Sequence, residues 1–232
     1  MHEQPAAARL VEAFANTIDV ELDTDDLSTP EQLADWLVQH RLLAAPRPTD
    51  PADHVLALRL RAGLRERLGV PVGDRPAPEL LAEAEQALRA LPLLATVTLP
   101  TDDGGTAGRA TTGGPAAGGA AADRAAAGAA TDGGTAGGPT SPTGPHLHPH
   151  PDLPPVRRGL AAVAAAWSEV VITGDAARLK RCAEHGCAWV FWDVSKNRSR
   201  RWCSMRVCGN RNKARRFAAK RSTERTPAAP AG

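Results

Sequence analysis

Apolar residues first recur at helical spacing between Ala6 and Ala15, where Leu10, Val11 and Phe14 share a face with Ala7 and Ala15. Asn16-Thr17-Ile18-Asp19 then favours a helix end and a turn. Ser28-Thr29-Pro30-Glu31 opens a second helix through either of two overlapping start signals, Ser28 with Glu31 or Thr29 with Gln32, and Leu33, Trp36, Leu37 and His40 follow at its period. A third helix starts at Asp50-Pro51, runs through Val55, Leu58, Leu60, Leu64 and Leu68, and stops at Gly69; Arg59, Arg61, Arg65 and Arg67 read as its solvated flank. The fourth spans Pro78 to Leu91, and the β-prone run Leu93 to Leu99 becomes a strand if it finds a partner. After a long interruption, Pro154-Pro155 starts a helix carrying Leu160, Val163, Trp167, Val170 and Val171, which Gly174-Asp175 ends.

Composition explains the interruption. Between Thr101 and His150, 26 of 50 residues are Gly or Ala and the only large apolar residue is Leu147. Such a stretch cannot offset an ordering entropy of about 1–2 kcal/mol per residue, so 101–153 reads as a disordered linker or insertion. His146-Leu147-His148-Pro149-His150 at its end is either a solvated polar tail or a set of alternating metal ligands.

Charge divides the chain further. From Ala176 onward 15 Lys/Arg face three acids, a local +12, so with a total of +2 the remainder carries −10. A basic tail end behind an acidic body points to an anionic partner, nucleic acid before an acidic membrane surface. The first residues lack a secretory pattern and no apolar run reaches membrane-spanning length, so the expectation is a soluble, cytoplasmic protein without a membrane partner. In that compartment clustered cysteines favour metal ligation over disulfides.

The cysteines Cys182, Cys187, Cys203 and Cys208 fall as C-x4-C, fifteen residues, C-x4-C. Two short-spaced pairs brought together by a hairpin supply the four thiolates that zinc favours, and an all-cysteine set marks a structural ion with no position open for water. The hairpin would alternate Trp189, Phe191 and Asp193 against Val190, Trp192 and Val194, turn at Ser195-Lys196-Asn197, and return along Arg198, Arg200 and Arg201. Two disulfides, free core cysteines, or His185 as a ligand remain alternatives. Asn210 to Lys220 suits a helix that packs Ala214 and Phe217 on the hairpin and turns Arg211, Lys213, Arg215, Arg216 and Lys220 outward. With Arg198, Arg200 and Arg201 these form a candidate phosphate-binding face, in which Asn210 either caps the helix or touches a base. Trp189 and Trp202 fit a small core or a stacking platform.

In the acidic part, Asn16, Thr17, Asp19 and Trp36 either end a helix and fill a core or line a pocket for a small-molecule or protein signal. Glu12, Asp19, Asp23, Asp25 and Asp26 are not accompanied by a histidine or nucleophile at a recognisable spacing, so no enzyme is expected.

Arg201-Trp202-Cys203-Ser204-Met205, Cys208-Gly209-Asn210-Arg211 and Lys213-Ala214-Arg215-Arg216 resemble the CGNR zinc finger. Phe14-Ala15-Asn16-Thr17-Ile18-Asp19 and Leu33-Ala34-Asp35-Trp36-Leu37 resemble the opening motifs of the ABATE domain that accompanies it. The resemblance implies a transcription regulator in which the finger, holding one structural Zn2+, binds DNA in the nucleoid and the preceding domain senses a signal. Thr101 to His150 stands where that family has a shorter connection. A zinc-finger adaptor for a protein or RNA partner is the alternative.

The expected fold is mainly α with a small β component. An α-rich ABATE-like domain takes residues 1–100 and is completed by a helix at 154–179. The low-complexity segment 101–153 interrupts it. A zinc-bound β-hairpin plus basic helix takes 180–220, and 221–232 is a disordered tail.

Overall fold

The computed structural model describes residues 3–95 and 147–225, with side chains as far as Arg221. Of the expected linker at 101–153, residues 101–146 lie outside them, as do the last residues of the tail, while Leu147–Pro149 form a strand. Helices dominate: α1 (Ala6–Ala15), α2 (Pro30–Gln39), α3 (Pro51–Arg67), α4 (Pro78–Arg89), α5 (Pro155–Ile172) and α6 (Asn210–Arg225). Among the described residues six short strands pair as three antiparallel two-stranded sheets: β1 (Ile18–Asp19) with β2 (Thr24–Asp25), β3 (Leu93–Ala95) with β4 (Leu147–Pro149), and β5 (Leu179–Arg181) with β6 (Val190–Trp192). The mainly α reading with a small β component holds.

Helix starts follow local chemistry. Of the two overlapping signals before α2, the Thr29–Gln32 box forms: Thr29 Oγ1 accepts from Gln32 N at 3.3 Å and Gln32 Oε1 accepts from Thr29 N at 2.9 Å. Asp50 caps α3 by accepting from Ala52 N at 2.8 Å. The apolar faces of α1 to α5 close over Phe14, Leu27, Leu33, Leu37, Leu60, Leu91, Leu160 and Val163, all fully buried, each large side chain contributing about 2 kcal/mol by its removal from water. Helices α3 and α4 approach so closely at Gly63 that a Cβ there would lie 2.1 Å from that of Ala84.

The strand at Leu93 finds its partner in the histidine-rich segment, where Leu93 pairs with Pro149, Leu94 with His148 and Ala95 with Leu147. His150 N then donates to Pro92 O at 3.0 Å, so this end of the Gly/Ala-rich stretch returns the chain to the bundle at α5.

Two arginines expected on a solvated flank are buried instead. Arg61 and Arg65 are each 6% exposed, on the same stripe of α3 as Ala57, Leu60, Leu64 and Leu68. Arg61 binds Asp25 through two hydrogen bonds of 2.6 and 2.7 Å and donates to Thr17 Oγ1 at 3.0 Å. Burial works against the Asp25 charge, but this fork and the Leu27 N–H outweigh it and hold the carboxyl below its ordinary range. Arg65 donates to Ala15 O at 2.5 Å and to Ala188 O at 3.0 Å, tying the end of α1 to the cysteine segment. Burial, then repulsion from Arg181 and Arg61, lowers the Arg65 pKa to about 10, which leaves it charged at neutral pH.

Candidate metal centre and basic helix

The first cysteine pair is held by β5, β6 and the turn between them. Cys182 N donates to Trp189 O at 2.7 Å, while Glu184 O accepts from Cys187 N and Ala188 N at 3.0 and 3.1 Å. Ala188 completes the turn with φ of 51°, a left-handed conformation held by the surrounding bonds. The hairpin thus exists, but its ladder partner is β5 rather than the 198–201 segment. That returning segment is attached by single bonds. Asp193, fully buried, accepts from Lys180 Nζ at 2.8 Å, Ser195 N at 2.9 Å and Arg200 N at 3.0 Å. Burial opposes the Asp193 charge, yet these donors outweigh it and hold the carboxyl well below the usual carboxylate range. The turn at 195–197 lies where the sequence placed it.

Of the second pair, Cys203 comes just before and Cys208 within a wide helical turn, Met205–Gly209, in which Ser204 Oγ accepts from Val207 N and Ser204 O from Gly209 N at 3.0 Å. A Cβ on Gly209 would lie 3.0 Å from Met205 Sδ, so the absence of a side chain lets this turn close behind Cys208.

These frames bring the four sulfurs together, all within 4.8 Å of one another. Cys187 and Cys203 Sγ are 3.6 Å apart, as are those of Cys203 and Cys208. Tetrahedral zinc with Zn–S of about 2.3 Å requires edges of about 3.8 Å, so the cluster fits one such ion and can hold it. Burial first, and neighbouring sulfurs second, push the Cys203 thiol far up; Cys208 is pushed up to about 12, chiefly by burial. Without a cation these two thiols therefore keep their protons, and a divalent metal would bind by displacing them. Phe191 and Trp202 cover the sulfurs. His185 points elsewhere, its Nε2 3.0 Å from Val72 O.

Helix α6 leaves the metal cluster directly and carries two basic stripes on opposite faces. Arg211 and Arg215, one turn apart, look back at the protein: Arg211 donates to Glu21 Oε1 at 2.7 Å and Arg215 pairs with Glu184, whose side chain is buried between the first two cysteines. Lys213, Arg216 and Lys220 form the exposed stripe on the other side. Asn210 Nδ2 donates to Arg206 O at 2.9 Å, which places it on the preceding turn. Phe217 does not pack on the hairpin; it is 63% exposed beneath the Arg221 guanidinium, and Ala214 is exposed too. Of the remaining basic residues, Arg198 and Arg201 are exposed, the latter over Trp202, while Arg200 lies over the Phe191 ring at 4.9 Å.

A second site lies where the helical bundle meets the cysteine segment. A cavity of about 420 Å3 is lined by Gln4, Arg9, Glu12, Ala13, Asn16, Thr17, Asp26, Trp36, Gln39, His40 and Trp189. It unites Asn16, Thr17 and Trp36 from the sequence-based set. Asp19 stands apart, its carboxylate capping the β1–β2 turn by accepting from Glu21 N and Leu22 N at 2.9 and 3.1 Å. Periodicity shows why Glu12 belongs there: with Arg9, Ala13 and Asn16 it forms the α1 stripe that flanks the buried Ala8, Val11 and Ala15. Trp189 had no such signal, since only the fold of the cysteine turn brings it to α1.

Residues 178–221 match the family model of the CGNR zinc finger, and residues 8–134 match the ABATE model, described as "Putative stress-induced transcription regulator". No curated protein matches the chain. Neither family description names a catalytic activity, and no helix among the described residues is long and apolar enough to cross a membrane.

Proposed function

Because the chain belongs to the ABATE family and ends in a CGNR zinc finger, we propose that it is a zinc-dependent, DNA-binding transcription regulator with an N-terminal sensor. In this reading residues 1–100 and 154–179 make the sensing domain and 180–220 the finger. Cys182, Cys187, Cys203 and Cys208 hold one structural Zn2+, which fixes the start of α6. The observation that carries the reading is the division of α6 into two stripes. Arg211 and Arg215 hold the helix against acids of the protein, so Lys213, Arg216 and Lys220 are presented together on the far face. Cations spaced along one face of a helix that stands away from the body can follow a phosphate backbone. Arg198, Arg200 and Arg201 extend that charge, and Asn16, Thr17, Asp19 and Trp36 belong to the sensing part.

Fluorescence anisotropy of the zinc-loaded protein on duplex DNA across a salt series tests this. Three neutralised phosphates give a log–log slope of about −2.7, and Lys213→Ala should weaken binding and reduce the slope by about 1. Affinity that stays level with salt would overturn the proposal.

A second reading, an adaptor docking on a protein or RNA partner, draws support from Met205, Val207 and Phe217, which are 51%, 46% and 63% exposed on the finger. Replacing Lys213 and Arg216 by alanine separates the two, since an adaptor gripping apolar surface would retain its partner.

A further inference from the structure

The cavity between α1, α2 and the cysteine segment has a chemistry of its own. Its walls include the Trp36 and Trp189 rings, with His40 stacked on Trp36 at 4.0 Å between centroids. Carboxylates enter from two elements, Glu12 from α1 and Asp26 from the segment after β2. One guanidinium, Arg9, stands at the rim, and its Nη1 is engaged by Gln4 O at 2.5 Å. Glu12 is half-buried and accepts from Gln4 Nε2 at 2.5 Å, while a carboxylate can accept several donors at once. Burial pushes the Glu12 pKa up, a cost that a cationic guest would relieve.

Aromatic faces beside carboxylates are the surroundings that attract an organic ammonium, through the ring quadrupole and through charge-assisted hydrogen bonds. An organic anion would meet two carboxylates against one guanidinium. The volume lies near the lower end for small-molecule sites, about 300–1,000 Å3, and suits a single small ring system.

We propose that this cavity binds a small aryl-alkyl amine, its ring against Trp189, which is more exposed than the His40-covered Trp36, and its ammonium on Glu12 and Asp26. The proposal rests on the sensor reading and names the class of signal. It also gives the signal a route to the finger. Trp189 follows Ala188, whose carbonyl accepts from Arg65, and its own carbonyl accepts from Cys182 N. A guest that moved the Trp189 ring would therefore act on the backbone carrying two of the four cysteines.

Three probes of one shape isolate the charge: 2-phenylethylamine, 2-phenylethanol and phenylacetate, titrated into the zinc-loaded full chain at neutral pH. Calorimetry and tryptophan quenching are read without DNA. The amine should bind roughly tenfold more tightly than the alcohol, with the carboxylate weakest. Glu12→Gln should bring the amine to the level of the alcohol and leave the alcohol unchanged, whereas Trp189→Leu should weaken both. A thermal melt confirms that each variant is folded. No saturation at millimolar amine, an equal or better carboxylate, or an unchanged amine preference in Glu12→Gln would each overturn the assignment. Since no DNA is present, the result stands apart from the DNA titration: amine binding beside a flat salt series would remove the regulator and keep the site.

Discussion

The side-chain amide of Asn16 makes both hydrogen bonds to the backbone of Val190, donating from Nδ2 to O at 2.8 Å and accepting at Oδ1 from N at 2.8 Å. A residue at the end of α1 therefore behaves as a one-residue strand on the edge of β6. Val190 is fully buried, so Asn16→Ala would leave two backbone groups of β6 without their partners. The expected loss is about 2–4 kcal/mol, read from urea unfolding. Asn16→Asp, which keeps the acceptor and loses the donor, should fall between the two.

Glu21 occupies Arg211, one of the residues the DNA reading would otherwise offer to phosphate. Glu21→Gln should raise affinity for duplex DNA several-fold and steepen the salt slope by about 1, because one more cation becomes available. Since the pair is half-exposed on both sides, thermal stability should change little. Anisotropy across salt measures both quantities, and an unchanged slope would place Arg211 outside the interface.

Removing the metal should have structural consequences before functional ones. Mass spectrometry under native conditions should find one zinc per chain, and Cys203→Ser none. A chelator should abolish DNA binding together with the near-ultraviolet signal of the finger tryptophans. Because burial holds the Cys203 and Cys208 thiols protonated, zinc uptake should release protons, and zinc affinity should fall as pH is lowered.

Glu12 gives a pH signature of the opposite sense from a paired carboxylate. Burial raises its folded pKa above the ordinary glutamate value of 4.5, with the Gln4 hydrogen bond opposing. The folded form thus favours the proton, and the Glu12 contribution is most favourable below 4.5 and is lost as pH rises through the folded value. Glu12→Gln should melt higher than the parent at neutral pH, and the gap should close as pH falls toward 4.5. A constant gap across that range would show that the substitution acts through packing.

What could be read from residues alone was whatever depends on short range. The start signals at Thr29 and Asp50, the spacing of the four cysteines and the turn at Ser195-Lys196-Asn197 needed only their neighbours. What escaped depends on partners far along the chain. Strands β1 and β2 are two residues each and rich in aspartate, poor strand formers that pair because Arg61 grips Asp25. Leu147-His148-Pro149 sits beside a Gly/Ala-rich run and gains its strand from Leu93 to Ala95. Arg61 and Arg65 were nevertheless within reach, since their stripe continues Leu60, Leu64 and Leu68; charge alone argued for solvent. The type of Phe217 argues for a core, yet among the described residues it stays 63% exposed, because its position on the helix depends on packing that its own neighbours do not encode.

Leu179, Val190 and Trp192 of the finger share one apolar cluster with Ala7, Ala8, Val11 and Ala15 of α1, Leu68 after α3, and Ala166 and Val170 of α5. Two stretches that match separate families are thereby denied separate thermodynamics. Calorimetric melting should give a single endotherm whose midpoint moves with zinc, and an isolated finger beginning at Arg178 would expose Leu179, Val190 and Trp192 to water. Occupancy of the metal and integrity of the bundle then vary together, which makes the whole assembly, rather than the four cysteines, the unit that gains or loses a zinc ion.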